Sequence, residues 1–306
     1  MSSILFTSLD GHNADKADAT YVKSKINDDF AFAYCFDYNC FEPAIVSILS
    51  LSEFHDNAKI FCFLTENDND KTKEMNDKLV FLSLAANIDI DVINAKHFEE
   101  KIGLDIESPY WARAYVPKWI SENASYISRC LYVDSDTLFV DSVSELQDVD
   151  MQNYDFAAVR DLDVVVYSKS IERIGFDTAR KKFDYFNSGV MLMNIDRICK
   201  RKAFDDSVAF FNVNHSTLRY PEQDSFNHSK LIGKLDVLYM PFAYNFRNEN
   251  YALYGHSAND AKIIHYAVKR NKPWIEENRK RNLFGFDEWL KCKNQVDKIF
   301  SGRSIE

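Results

Sequence analysis

Short unbroken apolar runs alternate with longer stretches in which apolar residues recur every three or four positions. AFAYCF (31–36), KIFCFL (59–64) and RCLYV (129–133) hold almost no polar residue. That is the pattern of strands covered on both faces of a sheet. NIDIDVI (87–93) alternates instead, as a strand with one exposed face does. YDFAAVRD (154–161), YFNSGVMLMN (185–194) and KIIH (262–265) extend the series of strands. Between them, FEPAIVSILSL (41–51) predicts a helix with Pro43 in its first turn, where a missing N–H costs nothing. NDNDKTKEMNDKLVFLSLAA (67–86) opens on capping residues and continues with helical spacing. YWARAYVPKWI (110–120) reads as a helix interrupted at Pro117, and 195–214, 220–230 and 286–300 as further helices.

Strands alternating with helices predict an α/β architecture: a mostly parallel central sheet flanked by helices. Ligands of such sheets bind beyond the carboxyl ends of the strands. Asp37 and Asn39 follow the first buried strand, and Asp134 and Asp136 follow RCLYV, so both sets should open onto one edge. Residues 1–29 are mostly polar and read as an extension of the fold. No internal repeat or linker-like composition divides the rest.

Composition then narrows the function. The 306 residues are 46% hydrophobic, ample for one sizeable core. A net charge of −10 argues against a nucleic-acid binder, which needs basic surface to neutralise phosphates. Six cysteines without a C-x-x-C pair suggest free thiols in a reducing compartment. No run approaches 18 apolar residues, and the first residues lack the basic flank and apolar core of a secretory signal. The expectation is a soluble, cytoplasmic protein.

Asp-Ser-Asp (134–136) carries the sharpest chemistry. Residues two apart in an extended chain point the same way, so both carboxylates can share a hard divalent cation. Such an ion keeps positions for phosphate oxygens and can stabilise a departing diphosphate. The same tripeptide is equally suited to end a strand in a turn. Far downstream, His265 opens HYAVKRNKPW, where Lys269, Arg270 and Lys272 cluster in an otherwise acidic chain. An imidazole ligand favours Mn²⁺ over Mg²⁺, and a lysine can hold phosphate as a point charge. Alone, each is also an ordinary core histidine or a solvated basic loop.

Taken in order, AYCFDYN, YWARAYV, LYVDSDTLFV, YFNSGVMLMN with YPEQDSFN, and IIHY followed by KPW resemble glycosyltransferase family 8, across residues 30–275. These are retaining enzymes that use nucleotide sugars and include bacterial lipopolysaccharide galactosyl- and glucosyltransferases. The resemblance implies a GT-A fold with a Rossmann-like sheet over 30–275, and it leaves 276–306 as a helical tail. It implies Mn²⁺, with Mg²⁺ as the alternative, on Asp134, Asp136 and His265. Asp37 and Asn39 would meet the uridine of a UDP-sugar, with Cys35, Cys40 and Ser135 beside them. Arg113 would face the donor and Lys272 its diphosphate. Asp161 and Asn187 would sit by the transferred sugar, and Gln223 under the anomeric carbon between Glu222 and Asp224.

Some positions depart from the family pattern. Cys40 stands where an aromatic often stacks on uracil, Glu222 where Asp is usual, and the loop bearing Lys272 has no glycine. Gln223 is a poor nucleophile, so retention would proceed by front-face attack, with the leaving diphosphate taking the acceptor's proton; Asp224 and Glu222 are the alternative nucleophiles. PEQD is also simply an acid-rich helix start. The acceptor would be a glycan or lipid-linked oligosaccharide. In residues 269–303 ten Lys/Arg face five Asp/Glu with aromatics interleaved, which suits contact with the inner face of the cytoplasmic membrane or, equally, a helix packed on the core. A catalytically silent binder of sugar or nucleotide is the competing reading; the intact Asp134, Asp136, His265 set speaks for an enzyme.

Overall fold

The computed structural model describes residues 23–161, 172, 174, 185–248, 260–281 and 283–302. In chain order its strands and α-helices are β1 (Ser24–Lys25), β2 (Phe30–Phe36), α1 (Phe41–Phe54), β3 (His55–Asp56), β4 (Lys59–Leu64), α2 (Asn69–Ala86) and β5 (Asp89–Asn94). There follow α3 (Phe98–Ile102), α4 (Ala112–Asn123), β6 (Arg129–Val133), β7 (Thr137–Phe139), β8 (Phe156–Arg160), β9 (Phe186–Asn194) and α5 (Ile195–Arg201). The last are α6 (Asp205–Asn214), α7 (Pro221–Leu231), β10 (Val237–Met240), β11 (Ile263–His265) and α8 (Phe286–Phe300).

Seven strands form the main sheet in the order β10-β8-β9-β6-β2-β4-β5. All run parallel except β9, which is antiparallel to both β6 and β8. This reversal matters for the site. It brings the start of β9, Asn187–Ser188–Gly189, to the edge where the parallel strands end. The covering on both faces follows from the two-residue period. Phe30, Phe32, Tyr34 and Phe36 of β2 join the core under α1, α2 and α8, while Ala31 and Ala33 join the core under α4, α5, α6 and α7.

Several expected boundaries shift for local reasons. Pro117 does not interrupt α4, which runs on to Asn123; the proline forgoes one backbone bond in mid-helix, and the turn before it, Arg113 to Val116, is buried. Residues 195–214 are helical as expected, in two helices, because Lys202 adopts a left-handed conformation, φ 50°, that ends α5. β7 and β10 are strands that the periodicity did not distinguish.

The tail is committed to the fold. Trp289, Cys292, Val296 and Ile299 form one buried stripe on α8. They belong to the same core as β2 and β4, and Trp274, Phe284 and Phe300 pack against it. The Trp274 and Trp289 rings lie 6.1 Å apart, and Phe81 of α2 meets Phe300 at 5.9 Å. On the other side of α8, Asp287, Glu288 and Asp297 are interspersed with Lys291, Lys293 and Lys298. Trp274, Phe284, Trp289 and Phe300, expected at a membrane surface, therefore pack inward, and the basic excess lies in 269–281, ahead of the helix.

Candidate active site

Asp134 follows β6 directly, and its N–H donates to the Gly189 carbonyl of β9 at 2.8 Å. The chain turns through Ser135 and Asp136 into β7. β7 pairs antiparallel with β11, and the register sets Thr137 opposite His265. Next along, the Tyr266 N–H donates to the Asp136 carbonyl at 2.8 Å. This small sheet brings a histidine from far along the chain to the turn after β6. His265 Nε2 lies 3.2 Å from an Asp136 oxygen and 3.8 Å from an Asp134 oxygen. One donor atom from each of the three residues falls within 4.8 Å of the others.

Two carboxylates and an imidazole are a donor set that could hold a divalent cation. The backbone beneath them fits that use. A Cβ on Gly189 would stand 2.3 Å from His265 Cε1 and 2.8 Å from an Asp134 oxygen, so only glycine lets both side chains rest on β9.

Cations surround the cluster. Lys272 Nζ lies 2.6 Å from the second Asp136 oxygen. Burial works against the charged form of Asp136, but His265 and Lys272 together hold its carboxyl well below the usual range. Arg113, at the start of α4, is 5% exposed and spans three elements. Its guanidinium meets Asp134 at 2.9 Å, donates to the Ser188 carbonyl at 2.6 Å, and lies over the Tyr132 ring at 4.9 Å. Tyr132 in turn donates to Asp134 at 2.6 Å. Glu222 reaches Arg113 at 3.8 Å; burial raises its carboxyl above the usual range against the pull of that cation.

The first turn of α7 sends three consecutive side chains in three directions. Glu222 turns to Arg113. Gln223 accepts at Oε1 from Asn187 Nδ2 (3.0 Å) and the Ser188 N–H (3.1 Å), and donates to Asp161 at 3.2 Å. Asp224 is fully buried and takes the Tyr185 hydroxyl and the Arg219 and Tyr220 N–H groups. Asp161, at the end of β8, also receives Asn187 at 3.3 Å and Arg247 at 2.7 Å. Burial would raise its carboxyl, but Arg247 and the amides lower it.

On the far side of the turn, Asp37 follows β2 and holds the Cys40 N–H at 3.1 Å and Asn39 Nδ2 at 3.2 Å. Ser135 lies beside the Cys40 thiol, so this loop adjoins the acidic turn. Cys35, one residue before the end of β2, lies within electrostatic reach of Arg113 and Asp134. The residues expected from the sequence thus fall into three neighbouring groups: the acidic turn with His265 and Lys272, the loop after β2, and the buried amides around Asp161. Asp224 stands apart with its backbone partners.

The comparisons with known proteins follow this geometry. The model of glycosyl transferase family 8 matches residues 31–278. The chain belongs to glycosyl transferase family 8. A putative glycosyltransferase of Haemophilus influenzae is 30% identical over 118 residues, which is 38% of this chain and 33% of its own length. The lipopolysaccharide 1,2-glucosyltransferase of Escherichia coli is 21% identical over 156 residues, 48% of this chain and 44% of its own. These matches therefore span less than half of each relative. Among solved structures, galactosyltransferase LgtC in complex with donor and acceptor sugar analogues superposes with a TM-score of 0.67 at 22% identity, covering 87% of this chain and 95% of that one. The bifunctional glycosyltransferase WbbM gives 0.70 at 18% identity, over 94% and 53%. The fold is GT-A, as expected.

Four of the site's residues were not legible in advance. Asn245 and Arg247 lie in PFAYNFRN, which has neither helical nor strand periodicity. Ser188 and Gly189 were passed over as interior residues of a strand. A glycine inside an otherwise apolar strand is itself a mark of close approach and could have singled out that position.

Proposed function

We propose that this family 8 glycosyl transferase moves a hexose, galactose or glucose, from a UDP-sugar to a glycan or lipid-linked oligosaccharide with retention at the anomeric carbon. The observation that carries the reading is the Asp134, Asp136, His265 cluster at the carboxyl edge of the sheet, flanked by Lys272 and Arg113 and adjoining the buried Gln223–Asn187–Asp161 group. The cluster would hold Mn²⁺, with Mg²⁺ as the alternative. A bound divalent cation supplies charge stabilisation for the departing diphosphate. Lys272 lies where it can exchange Asp136 for a phosphate oxygen. Asp37, Asn39, Cys40 and Ser135 form the side on which the uridine would rest, and Asp161, Asn187 and Glu222 the side of the sugar.

Front-face attack is the form of retention that these contacts favour. Asp224 is fully buried, with both oxygens taken by structural donors, and Asp161 is paired with Arg247. Gln223 is neutral and held by hydrogen bonds on both ends of its amide. Its contribution is to keep the sugar pocket in one arrangement, while the leaving diphosphate accepts the proton of the incoming hydroxyl. Acceptors of this class are met at the inner face of the cytoplasmic membrane. Among the described residues no helix is long and apolar enough to cross one. Lys269, Arg270, Arg279 and Arg281 are exposed, and they are the groups we propose for contact with anionic lipid.

Incubation of the purified protein with a panel of UDP-sugars, without acceptor, tests the reading. Mn²⁺-dependent release of UDP from one hexose donor is expected. Hydrolysis that is equal in EDTA and in Mn²⁺, or absent with every donor, overturns it.

A further inference from the structure

His265 Nδ1 lies 2.9 Å from Asn245 Oδ1. Asn245 Nδ2 donates to Asn187 Oδ1 at 2.8 Å, and Asn187 Nδ2 donates to Asp161 Oδ2 at 3.3 Å. All four side chains are at least nine-tenths buried. The direction of every bond follows from the chain's two ends. A carboxylate only accepts, so the Asn187 atom facing Asp161 is nitrogen. The Gly189 backbone N–H only donates, at 2.9 Å, so the other Asn187 atom is oxygen. Asn245 must then present nitrogen to Asn187 and oxygen to His265. The Nδ1 position facing Asn245 therefore carries a proton, and Nε2, the nitrogen that faces Asp134 and Asp136, is the one that would ligate a cation.

Asn245 ends a 3-10 turn, Phe242–Asn245, and Arg247 stands two residues on, past Phe246, which bridges Ile264 of β11. Asn245 reaches His265 and Arg247 reaches Asp161. One short segment therefore holds both ends of the hydrogen-bond chain.

We propose that Asn245 and Asn187 are positioning residues: an amide relay anchored on Asp161 that fixes the ring orientation and tautomer of His265 and so couples the sugar side of the pocket to the cation side. This rests on the metal reading of Asp134, Asp136 and His265. Ligating histidines depend on a partner for the second ring nitrogen, and loss of such a partner weakens metal affinity about 10–100-fold.

The test is direct titration of the wild type and three variants with Mn²⁺ alone, free ion being counted by electron paramagnetic resonance, alongside kcat and KM for the donor. Asn245→Ala is expected to bind Mn²⁺ about 10–100-fold more weakly. Asn187→Ala, which removes a residue that does not touch His265, should also weaken Mn²⁺ because the Asn245 amide is then free to turn over. Asn245→Asp keeps an acceptor for Nδ1 but has no donor for Asn187. It should retain Mn²⁺ affinity and lose kcat. Being nearly isosteric, it keeps the test decisive should the alanine variants fail to fold. Wild-type affinity in both alanine variants overturns the relay, as does an Asn245→Asp protein that loses Mn²⁺ as fully as Asn245→Ala. A folded wild type that binds no Mn²⁺ overturns the metal reading beneath it, a result distinguishable from the others.

Discussion

Asp136 meets Lys272 with one oxygen and His265 with the other, and little of it reaches solvent. Replacing it by alanine should abolish transfer while leaving the melting temperature within a few degrees of wild type; full activity with Mn²⁺ at saturating donor would remove it from the metal set. Gly189 makes the complementary case. Gly189→Ala puts a methyl where His265 and Asp134 now rest, so overpacking of about 1–3 kcal/mol is expected together with weaker Mn²⁺ binding. A variant equal to wild type in both would show that the ligands can retreat without cost. Asp161 and Arg247 form a buried pair. Because the Asp161 carboxyl is lowered in the fold, its stabilisation is complete above the ordinary carboxylate range and is lost as pH falls through the lowered value. Arg247→Gln removes the guanidinium from a buried carboxylate and should cost about 3–5 kcal/mol at neutral pH, with a shallower loss of stability on acidification. Denaturant melts between neutral and acidic pH measure both.

At the scale of elements, the first turn of α7 separates two roles that adjacency in sequence runs together. Gln223 sits between β9 and Asp161, and Gln223→Ala should lower turnover about 100-fold with a smaller change in donor KM, as loss of a polar group near the reacting centre does. A purely KM effect would place it away from the reacting carbon. Asp224 ties Tyr185 and the turn before the helix. Asp224→Ala takes their acceptor from two part-buried N–H groups and from the Tyr185 hydroxyl, at about 0.5–1.5 kcal/mol each, so its main effect should be a lower melting temperature. The strands and helices themselves were largely legible, since burial on both faces writes unbroken apolar runs and packing on one face writes a helical stripe. β7 and β10 were not, because three or four apolar residues fit too many patterns. The antiparallel course of β9 was not either: its apolar run is the same read in both directions.

For the whole molecule, α8 closes the core over α1 and α2 with Trp289, Cys292, Val296 and Ile299. Trp289→Ala should cost about 3–5 kcal/mol, seen as a large fall in melting temperature, and should not change sedimentation with anionic vesicles relative to wild type. Weaker vesicle binding with unchanged stability would return the tail aromatics to the surface. The basic-and-aromatic composition of 269–303 could not choose between core and membrane, because both bury aromatic rings. Its charges sit mostly ahead of α8 and its rings mostly on the inner side, a division that depends on how the helix is docked. The sequence by itself determined the sheet-and-helix alternation, the acidic turn after a buried strand, and, through ordered motifs, the family. Those properties are local: each is set by the period or chemistry of a few neighbouring residues. The tertiary structure decided which distant residues share the turn. The β7–β11 register delivers His265, the reversal of β9 delivers Asn187 and Gly189, and a segment without periodicity delivers Asn245 and Arg247. Contacts between residues a hundred positions apart follow from strand order and register, which no local pattern encodes.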